Sequence, residues 1–268
     1  MADRYTHGHH ESVLRSHRWR TAENSAAHLI PHLAAGQRLL DVGCGPGTIT
    51  LDLARRVAPG TVVGIDASPE VIAAAVAARD AAGRDAATVI LEVGDVYALD
   101  ADDGAFDVVH AHQVLQHLTD PVAALVEMKR VVTPGGLVAV RESDYGAFAW
   151  APDDTLLDRW LTLYHQVTRA NGADADAGRR LPGWFAAAGF TELEVSSSTW
   201  TFHELDDRAW WGGLWADRVV ASAFADQAVE YGLAERAELE EIAAAFRRWA
   251  LADDAVFVVL HVEVLARG

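Results

Sequence analysis

The apolar residues of this chain occur in short runs that alternate with longer amphipathic stretches. Residues 37–43 (QRLLDVG) and 61–67 (TVVGIDA) are brief apolar runs bounded by polar or small residues, a pattern that predicts buried strands. Residues 48–58 and 70–82 follow them with apolar positions at helical spacing, and the second stretch comes after a Ser-Pro pair typical of a helix start. This alternation predicts a parallel sheet covered by helices.

The same rhythm continues through the middle of the chain. Residues 87–95, 106–111 and 137–142 are rich in β-branched residues and are expected to form the third, fourth and fifth strands. A helix is expected to open at Asp120-Pro121 and to end at the TPGG turn, residues 133–136. Five strands with helical crossovers are therefore predicted before residue 145.

Two interruptions follow, at residues 146–180 and 203–254. The first combines a helix with a polar loop, and the second is helical and rich in tryptophan. Between and after them the rhythm returns, with a helix and strand over 181–202 and a last strand over 255–266. Insertions on one face of a sheet commonly build lids, so we expect lids here, together with a helical cover over 1–30.

The predicted fold is α/β, a doubly wound, Rossmann-like sheet of seven mostly parallel strands. Residues 31–145 are expected to form its core, and the whole chain, 1–268, is expected to form a single domain. About half of the residues, 51%, are apolar, which suffices for a large core.

Charge and composition disfavour several classes of binding partner and of location. The net charge of −17 disfavours nucleic acid and anionic membrane surfaces, because both repel an acidic protein. Cys44 is the only cysteine, so no internal disulfide can form. No apolar run approaches the ~20 residues of a membrane span, and the N-terminus lacks a signal-peptide core. We therefore expect a cytoplasmic protein.

The string LLDVGCGPGTIT carries the most specific chemistry. Three glycines, Gly43, Gly45 and Gly47, follow a buried strand, with Asp41 just before them. A strand, a glycine-rich turn and a helix form a nucleotide-binding device, because glycine lets a ligand approach the backbone. A dinucleotide loop would need a glycine where Thr48 stands, and no Gly-Lys-Ser/Thr of a phosphate loop follows. A tight turn without a ligand is the simpler alternative.

This string resembles motif I of the class I S-adenosylmethionine-dependent methyltransferases. More narrowly, the chain resembles the small-molecule branch that includes ubiquinone/menaquinone C-methyltransferase-like enzymes. Four further landmarks appear in order: Asp66 after the second strand, Asp95 in EVGDV, the stretch 106–121 and the stretch 130–140. The resemblance implies S-adenosylmethionine as cofactor and S-adenosylhomocysteine as product. It also implies that the core, 31–145, binds the cofactor.

The resemblance assigns roles to several residues. Asp66 would accept the ribose hydroxyls, Asp95 would receive the adenine amino group with Val96 beside the ring, and Asp41 would help to hold the ammonium, directly or through water. An N-terminal helix would fold over the cofactor and supply a tyrosine or histidine, here Tyr5. The cofactor-binding set expected in this way is Tyr5, Asp41, Gly43, Gly45, Gly47, Asp66, Ala67, Gly94, Asp95, Val96, His112 and Gln113.

The N-terminal segment carries further candidates. His9 and His10 are candidate lid contacts beside the tyrosine, and Arg15 and Arg20 could meet a carboxylate of cofactor or substrate. His7, His9 and His10 lie close together in the sequence. Adjacent histidines do not easily share one ion, however, so no metal is expected. A solvated, cap-like helix is the alternative.

The acceptor side is less defined. Methyl transfer is an in-line displacement in which the protein aligns the nucleophile and excludes water, and an acidic acceptor benefits from a general base. His112 lies just past the fourth strand, and His117 is expected to share a helix face with Gln113. Asp144, past the fifth strand, could pair with a histidine over the methyl group. Structural readings stay open for His117, for Asp144 and for His110 in the strand.

The predicted activity is methyl transfer from S-adenosylmethionine to a small molecule, with a homodimer kept open. The late tryptophans would pack the lid or wall a pocket for a planar acceptor; they are Trp200, Trp210, Trp211, Trp215 and Trp249. One alternative is a non-methylating catalyst, such as a cyclase or decarboxylase, that keeps the cofactor. A second is a protein-directed methyltransferase or adaptor, which would need an open cleft. A dehydrogenase is disfavoured by the glycine spacing.

Overall fold

A computed structural model describes residues 3–8, 10–86 and 88–268. The strands of this described part are β1 (Leu39–Val42), β2 (Val62–Asp66), β3 (Val89–Val93), β4 (Phe106–His112), β5 (Val132–Ser143), β6 (Ala149–Ala151), β7 (Leu193–Phe202) and β8 (Val256–Arg267). Its α-helices are α1 (Glu11–Arg18), α2 (Ala22–Ser25), α3 (Thr48–Val57), α4 (Pro69–Ala82), α5 (Pro121–Val131), α6 (Thr155–Ala170), α7 (Ala177–Ala187), α8 (Leu205–Ala221), α9 (Ala223–Glu230) and α10 (Arg236–Leu251).

The strands form one mainly parallel sheet in the order β3-β2-β1-β4-β5-β8-β6, and β7 also pairs with β8. β1 to β5 run parallel, whereas β8 is antiparallel to β5, β6 and β7. The predicted α/β, Rossmann-like architecture is therefore confirmed; the seven expected strands are present, and the short β6 adds an eighth. β1 lies between β2 and β4, so the loops that follow these three strands meet at one edge of the sheet.

Successive residues of the central strands point to opposite faces, and each face has its own apolar core. Leu39 and Val108 pack with helices α2, α3 and α4, whereas their neighbours Leu40 and Val109 pack with α5 and α7. Burial on both faces explains why these strands read as continuous apolar runs rather than as an alternating pattern.

The two late interruptions fold together into a helical lid, which we define as residues 146–170 and 203–254. Its aromatic core joins α6, α8 and α10 to the first half of β8 and includes Trp160, Trp215, Phe246 and Phe257. Helix α1 packs against α8, so the N-terminal cover and the lid meet above the sheet edge.

Several boundaries differ from the sequence expectation. The fifth strand begins at Val132 and includes the TPGG segment, because this segment continues the edge of the sheet beside the end of β8. Helix α7 begins at Ala177, four residues before the predicted start and inside the first predicted insertion. In the first thirty residues only α1, α2 and a 3₁₀ turn that starts at Ile30 are helical among the positions described.

Candidate functional site

The turn after β1 is an open backbone loop. Gly43 and Gly45 have positive φ angles of 66° and 56°, which favour glycine. A Cβ at Gly43 would lie 2.4 Å from Cγ2 of Val114, so no larger residue fits there. A Cβ at Gly45 would find only Nδ1 of His17, at 3.8 Å. Val114 therefore leaves no room for a side chain at Gly43, whereas there is free space beside Gly45.

Asp66 stands at the end of β2, directly beside this loop. Its Oδ2 accepts the backbone N–H of Gly45 at 3.1 Å, and its Oδ1 accepts the N–H of Ser68 at 3.0 Å. Each carboxylate oxygen has further lone pairs that these two bonds do not use. The carboxylate is thus fixed in position and can still accept hydroxyl groups.

The first acid of the motif, Asp41, is occupied on both sides. Its Oδ1 contacts Nδ1 of His110 at 2.7 Å, and its Oδ2 accepts the hydroxyl of Thr50 at 2.5 Å. Asp41 is only 2% exposed, although it contributes to the wall of the cavity described below. His110 therefore has a structural role beneath the loop, and Asp41 acts as an anchor of β1 as well as a candidate ligand.

The loop opens onto a cavity of about 380 Å³. Every member of the cofactor-binding set predicted from sequence lines this cavity, with the exception of Gly47. Asp95 accepts the backbone N–H of Tyr97 at 2.9 Å, which fixes its loop beside Ala67 and Val96. The structure therefore brings these residues into one place.

The lid and β7 supply the other half of the wall. Four of the five late tryptophans line the cavity: Trp200 on β7, and Trp210, Trp211 and Trp215 on α8. The fifth, Trp249, instead donates its indole N–H to the carbonyl of Ala151 at 2.9 Å and packs within the lid. Tyr145 and Phe148, which follow β5, complete the aromatic side.

The segment between β4 and α5 differs from the prediction. Gln113 has a positive φ of 54° and lies outside any helix, and only a short 3₁₀ turn covers Leu115–His117. The expected shared helix face of Gln113 and His117 is therefore wrong, although both residues line the cavity. His112 is the last residue of β4 rather than the first residue after it.

A buried carboxylate causes this local geometry. Oε1 of Glu142, on β5, accepts the backbone N–H groups of Val114 at 2.8 Å and of Leu115 at 2.7 Å. Oε2 receives the N–H of Gln116 at 3.4 Å. Glu142 is fully buried, and burial raises its pKa to about 8 against the lowering effect of these donors. Glu142 thus fixes the segment that carries the candidate histidines.

The two candidate histidines are neutral. Burial lowers the pKa of His117 to about 3 and the pKa of His112 well below its ordinary value, and the cation of Arg20 adds to both effects. Both ring nitrogens of His112 and Nδ1 of His117 are buried without a hydrogen-bond partner in the part of the chain that is described. Either side chain can therefore form a hydrogen bond with a ligand in the cavity.

Asp144 does not join them. Its carboxylate accepts the backbone N–H of Arg179 at 3.0 Å and the Nε–H at 2.7 Å, and it also pairs with Nη2. Asp144 is not part of the cavity wall, because it follows β5 on the side that faces α7. The predicted pairing of Asp144 with His112 or His117 over the methyl group is therefore not present.

The N-terminal segment reaches into the cavity with some of its predicted residues. Tyr5 lies edge-on to His117, with ring centroids 4.7 Å apart, and burial raises the Tyr5 pKa to about 12. Arg20 lines the cavity and donates to Oε1 of Gln113. His10 instead accepts the N–H of Ser12 and caps α1.

The sequence also predicted roles for Arg15 and His9 in this segment. Arg15 pairs with Asp217 at 3.2 Å on the surface, so it does not meet the cavity. His9 lies outside the described residues. No group of three or more His, Cys, Asp or Glu side chains in the described ranges is arranged to hold a metal ion.

Three cavity or support residues escaped the sequence analysis: His7, Glu142 and Arg218. His7 was weighed only as a metal ligand, yet its Nε2 lies 2.9 Å from the hydroxyl of Tyr164 and its ring lines the cavity. Arg218 sits in an ordinary helical pattern, with no local signal. Glu142 could have been suspected, because an acid that ends a buried strand requires buried donors.

A glycine loop, an acid at the tip of the second strand and a cavity above a parallel sheet define an α/β enzyme that binds a nucleoside. Residues 33–189 match the family model described as a methyltransferase domain. The chain belongs to this family and is an S-adenosylmethionine-dependent methyltransferase.

Individual relatives agree with the family. An uncharacterized methyltransferase of Schizosaccharomyces pombe is 35% identical and covers 91% of this chain and 89% of its own length. A demethylmenaquinone methyltransferase of Roseiflexus castenholzii is 35% identical over 54% of this chain and 58% of its own length. The YcgJ protein of Bacillus subtilis superimposes with a TM-score of 0.59 at 16% identity and covers 90% of this chain and 96% of its own; this match supports the fold alone. Within the described residues, no helix has the length and apolar character needed to cross a bilayer.

Proposed function

We propose that this methyltransferase transfers the methyl group of S-adenosylmethionine to a small-molecule acceptor by in-line displacement. One observation carries the proposal: the glycine loop and the aromatic lid line the same cavity. Helix α1 of the cover packs against helix α8 of the lid, and both helices contribute residues to the cavity wall. An aromatic cavity walled in this way favours a small planar acceptor over a protein side chain.

The residues present fit the cofactor. The Gly45 backbone leaves room for a close ligand, and the fixed carboxylate of Asp66 can accept the two ribose hydroxyls. Asp95 and Val96 would hold the adenine, and Arg20, a buried cation, would meet the carboxylate of the methionine half. Gly43 and Gly47 would shape the loop. Asp41, whose negative charge suits the cofactor's ammonium, would help to hold that group.

When bound, the cofactor supplies a methyl carbon that is already activated by its sulfonium. The chain itself has to place the acceptor in line with that carbon and exclude water. The lid tryptophans provide the dry wall, and Glu142 fixes the backbone that carries His117. His112 and His117 are neutral and can accept a hydrogen bond from an acidic acceptor, without the carboxylate partner expected at Asp144.

The proposal is tested in two steps. S-adenosylhomocysteine should raise the melting temperature, whereas a nicotinamide dinucleotide should not, because only a ligand of the folded state stabilises it. Radiolabelled methyl groups should then appear in the low-mass fraction of a cell extract. Label in the protein fraction would contradict a small-molecule acceptor. No transfer with an intact bound cofactor would instead support a non-methylating catalyst.

A further inference from the structure

A buried arginine on the lid faces the acceptor side of the cavity. Arg218, on α8, is 5% exposed and lines the cavity together with Trp215, over whose ring its guanidinium lies at 4.7 Å. The protein carries a net charge of −17, yet no carboxylate pairs with Arg218 in the described ranges. A buried cation without a counter-charge is unusual, because the loss of hydration is not repaid.

The hydrogen bonds of Arg218 use only part of its donor capacity. Nη2 donates to the carbonyl of Ser12 at 3.2 Å and to the hydroxyl of Ser16 at 2.8 Å. Nε is buried without a partner, and Nη1 makes no hydrogen bond with any residue that the structure describes. A guanidinium has five N–H donors, and the two hydrogens of Nη1 are not used by any of these bonds, so Nη1 can donate to an anionic oxygen.

The groups around Arg218 are neutral and do not cancel its charge. Tyr5, Tyr145 and Tyr164 are buried phenols whose pKa values burial raises, so they keep their protons at neutral pH. Burial lowers the pKa of His7 well below its ordinary value, and the Arg218 cation lowers it further. Burial lowers the pKa of Arg218, and the positive charge of Arg15 on α1 adds to this effect.

A purely structural role explains only one edge of the side chain. The two bonds from Nη2 tether the lid helix α8 to the cover helix α1. This tether leaves the Nη1 hydrogens unused, and, unlike Arg208, Arg218 lines the cavity. The unused Nη1 is therefore available to a ligand in the cavity.

We propose that Arg218 binds an anionic group, such as a carboxylate, on a planar aromatic acceptor. This proposal rests on the proposed function, since the acceptor occupies the lid half while the cofactor occupies the loop half. A second arginine of the cavity wall, Arg20, donates to Gln113 just past the end of β4. Arg20 thus already has a side-chain acceptor, and Trp215 and Tyr145 provide flat surfaces for the acceptor ring beside Arg218.

Binding of matched aromatic probes tests the assignment. The protein is first saturated with S-adenosylhomocysteine and then titrated with benzoate, 4-hydroxybenzoate and 1-hydroxy-2-naphthoate, and with the neutral carboxamide of each. In the wild type at least one carboxylate should bind ten or more times more tightly than its amide. Arg218→Gln should remove this preference, whereas the affinity for S-adenosylhomocysteine should stay within threefold.

Arg208 provides a matched control on the same helix. It is 7% exposed, its Nε is also buried without a partner, and it donates to the carbonyl of Asp253, but it does not line the cavity. Arg208→Gln should therefore keep the carboxylate preference. If Arg218→Gln does not fold, Arg218→Lys keeps the charge but removes the Nη1 donor and should reduce the preference at least threefold.

Three results would overturn the proposal. One is a wild type that binds no carboxylate of the series more tightly than its amide. Another is a preference that persists in Arg218→Gln. The third is a loss of S-adenosylhomocysteine affinity in Arg218→Gln with no loss for 5′-methylthioadenosine, which would assign Arg218 to the cofactor's own carboxylate. A wild type that fails to bind S-adenosylhomocysteine at all would instead contradict the proposed function.

Discussion

Replacing Asp66 by asparagine tests the central assumption about the cofactor site with little change of shape. The two carboxylate oxygens accept the N–H groups of Gly45 at 3.1 Å and of Ser68 at 3.0 Å, one each. An asparagine has a single carbonyl oxygen, so its amide nitrogen must face one of these N–H groups. The same nitrogen can no longer accept a ribose hydroxyl, and the negative charge is lost.

The size of the effect follows from the bonds concerned. A hydrogen bond to a charged group contributes about 1.5–3 kcal/mol, and the variant loses one such bond to the sugar. This corresponds to a roughly 10- to 150-fold weaker Kd for S-adenosylhomocysteine, since each 1.4 kcal/mol is tenfold. The variant also loses one contact to a backbone N–H group, which lowers the stability of the ligand-free protein. The melting temperature without ligand measures this loss.

A comparison of two ligands in two proteins isolates the contribution of the contact between Asp66 and the sugar. Calorimetric titration compares 5′-methylthioadenosine with its 2′,3′-dideoxy counterpart in the wild type and in Asp66→Asn. The wild type should prefer the dihydroxy ligand by about 1.5 kcal/mol or more, and the variant should lose most of that preference. Asp80→Asn, at an exposed acid paired with Arg79 on α4, should retain it. Equal preferences in wild type and Asp66→Asn would refute the placement of the ribose.

Three further predictions concern the loop and its supports. Gly43→Ala should destabilise the fold by about 2–4 kcal/mol in urea titrations, because its Cβ would lie 2.4 Å from a valine methyl at a positive φ. Gly45→Ala should cost only about 1 kcal/mol of stability but weaken S-adenosylhomocysteine at least tenfold, and the opposite ranking would contradict the proposed cradle. Glu142 keeps its proton up to about pH 8 in the folded protein, whereas the unfolded chain releases it near the ordinary pKa of 4.5. The contribution of Glu142 to stability is therefore complete below pH 4.5 and declines as the pH rises toward 8. Glu142→Gln should therefore flatten the melting temperature between pH 5 and pH 8, and an unchanged slope would argue against the buried acid. Asp144→Asn should lower stability by about 1–2 kcal/mol through its bonds to Arg179 and leave the pH profile of methyl transfer unmoved, whereas a shifted profile would restore Asp144 to the site.

The architecture was accessible from sequence because its signals are local. Each central strand is buried on both faces, so β1, β2 and β4 appear as short apolar runs, and each crossover helix has its own start signal. Glycine positions that need a positive φ also reveal themselves, as Gly43 and Gly45 do. These features depend on neighbours within a few residues, which is what a sequence pattern contains.

The segment after β4 could not be predicted in the same way. Helical spacing placed Gln113 and His117 on one face, but three backbone N–H groups there bind Glu142, almost thirty residues further along the chain. The register between β4 and β5, which pairs His112 with Arg141, brings this acid beneath the turn. A non-local contact therefore decided the local conformation, and periodicity carries no information about such a contact.

The electrostatics of the cavity are similarly hidden from composition. A net charge of −17 describes the surface, where most of the acidic residues lie, and it disfavours polyanionic partners. Inside, Arg20 and Arg218 have no carboxylate partner in the described part of the chain, and the phenols and histidines around them are neutral. Because a low-dielectric interior screens poorly, these two cations act on a ligand far more strongly than the distant surface acids do. An acidic protein can therefore contain a cavity whose local charge favours anions, although its net charge is negative.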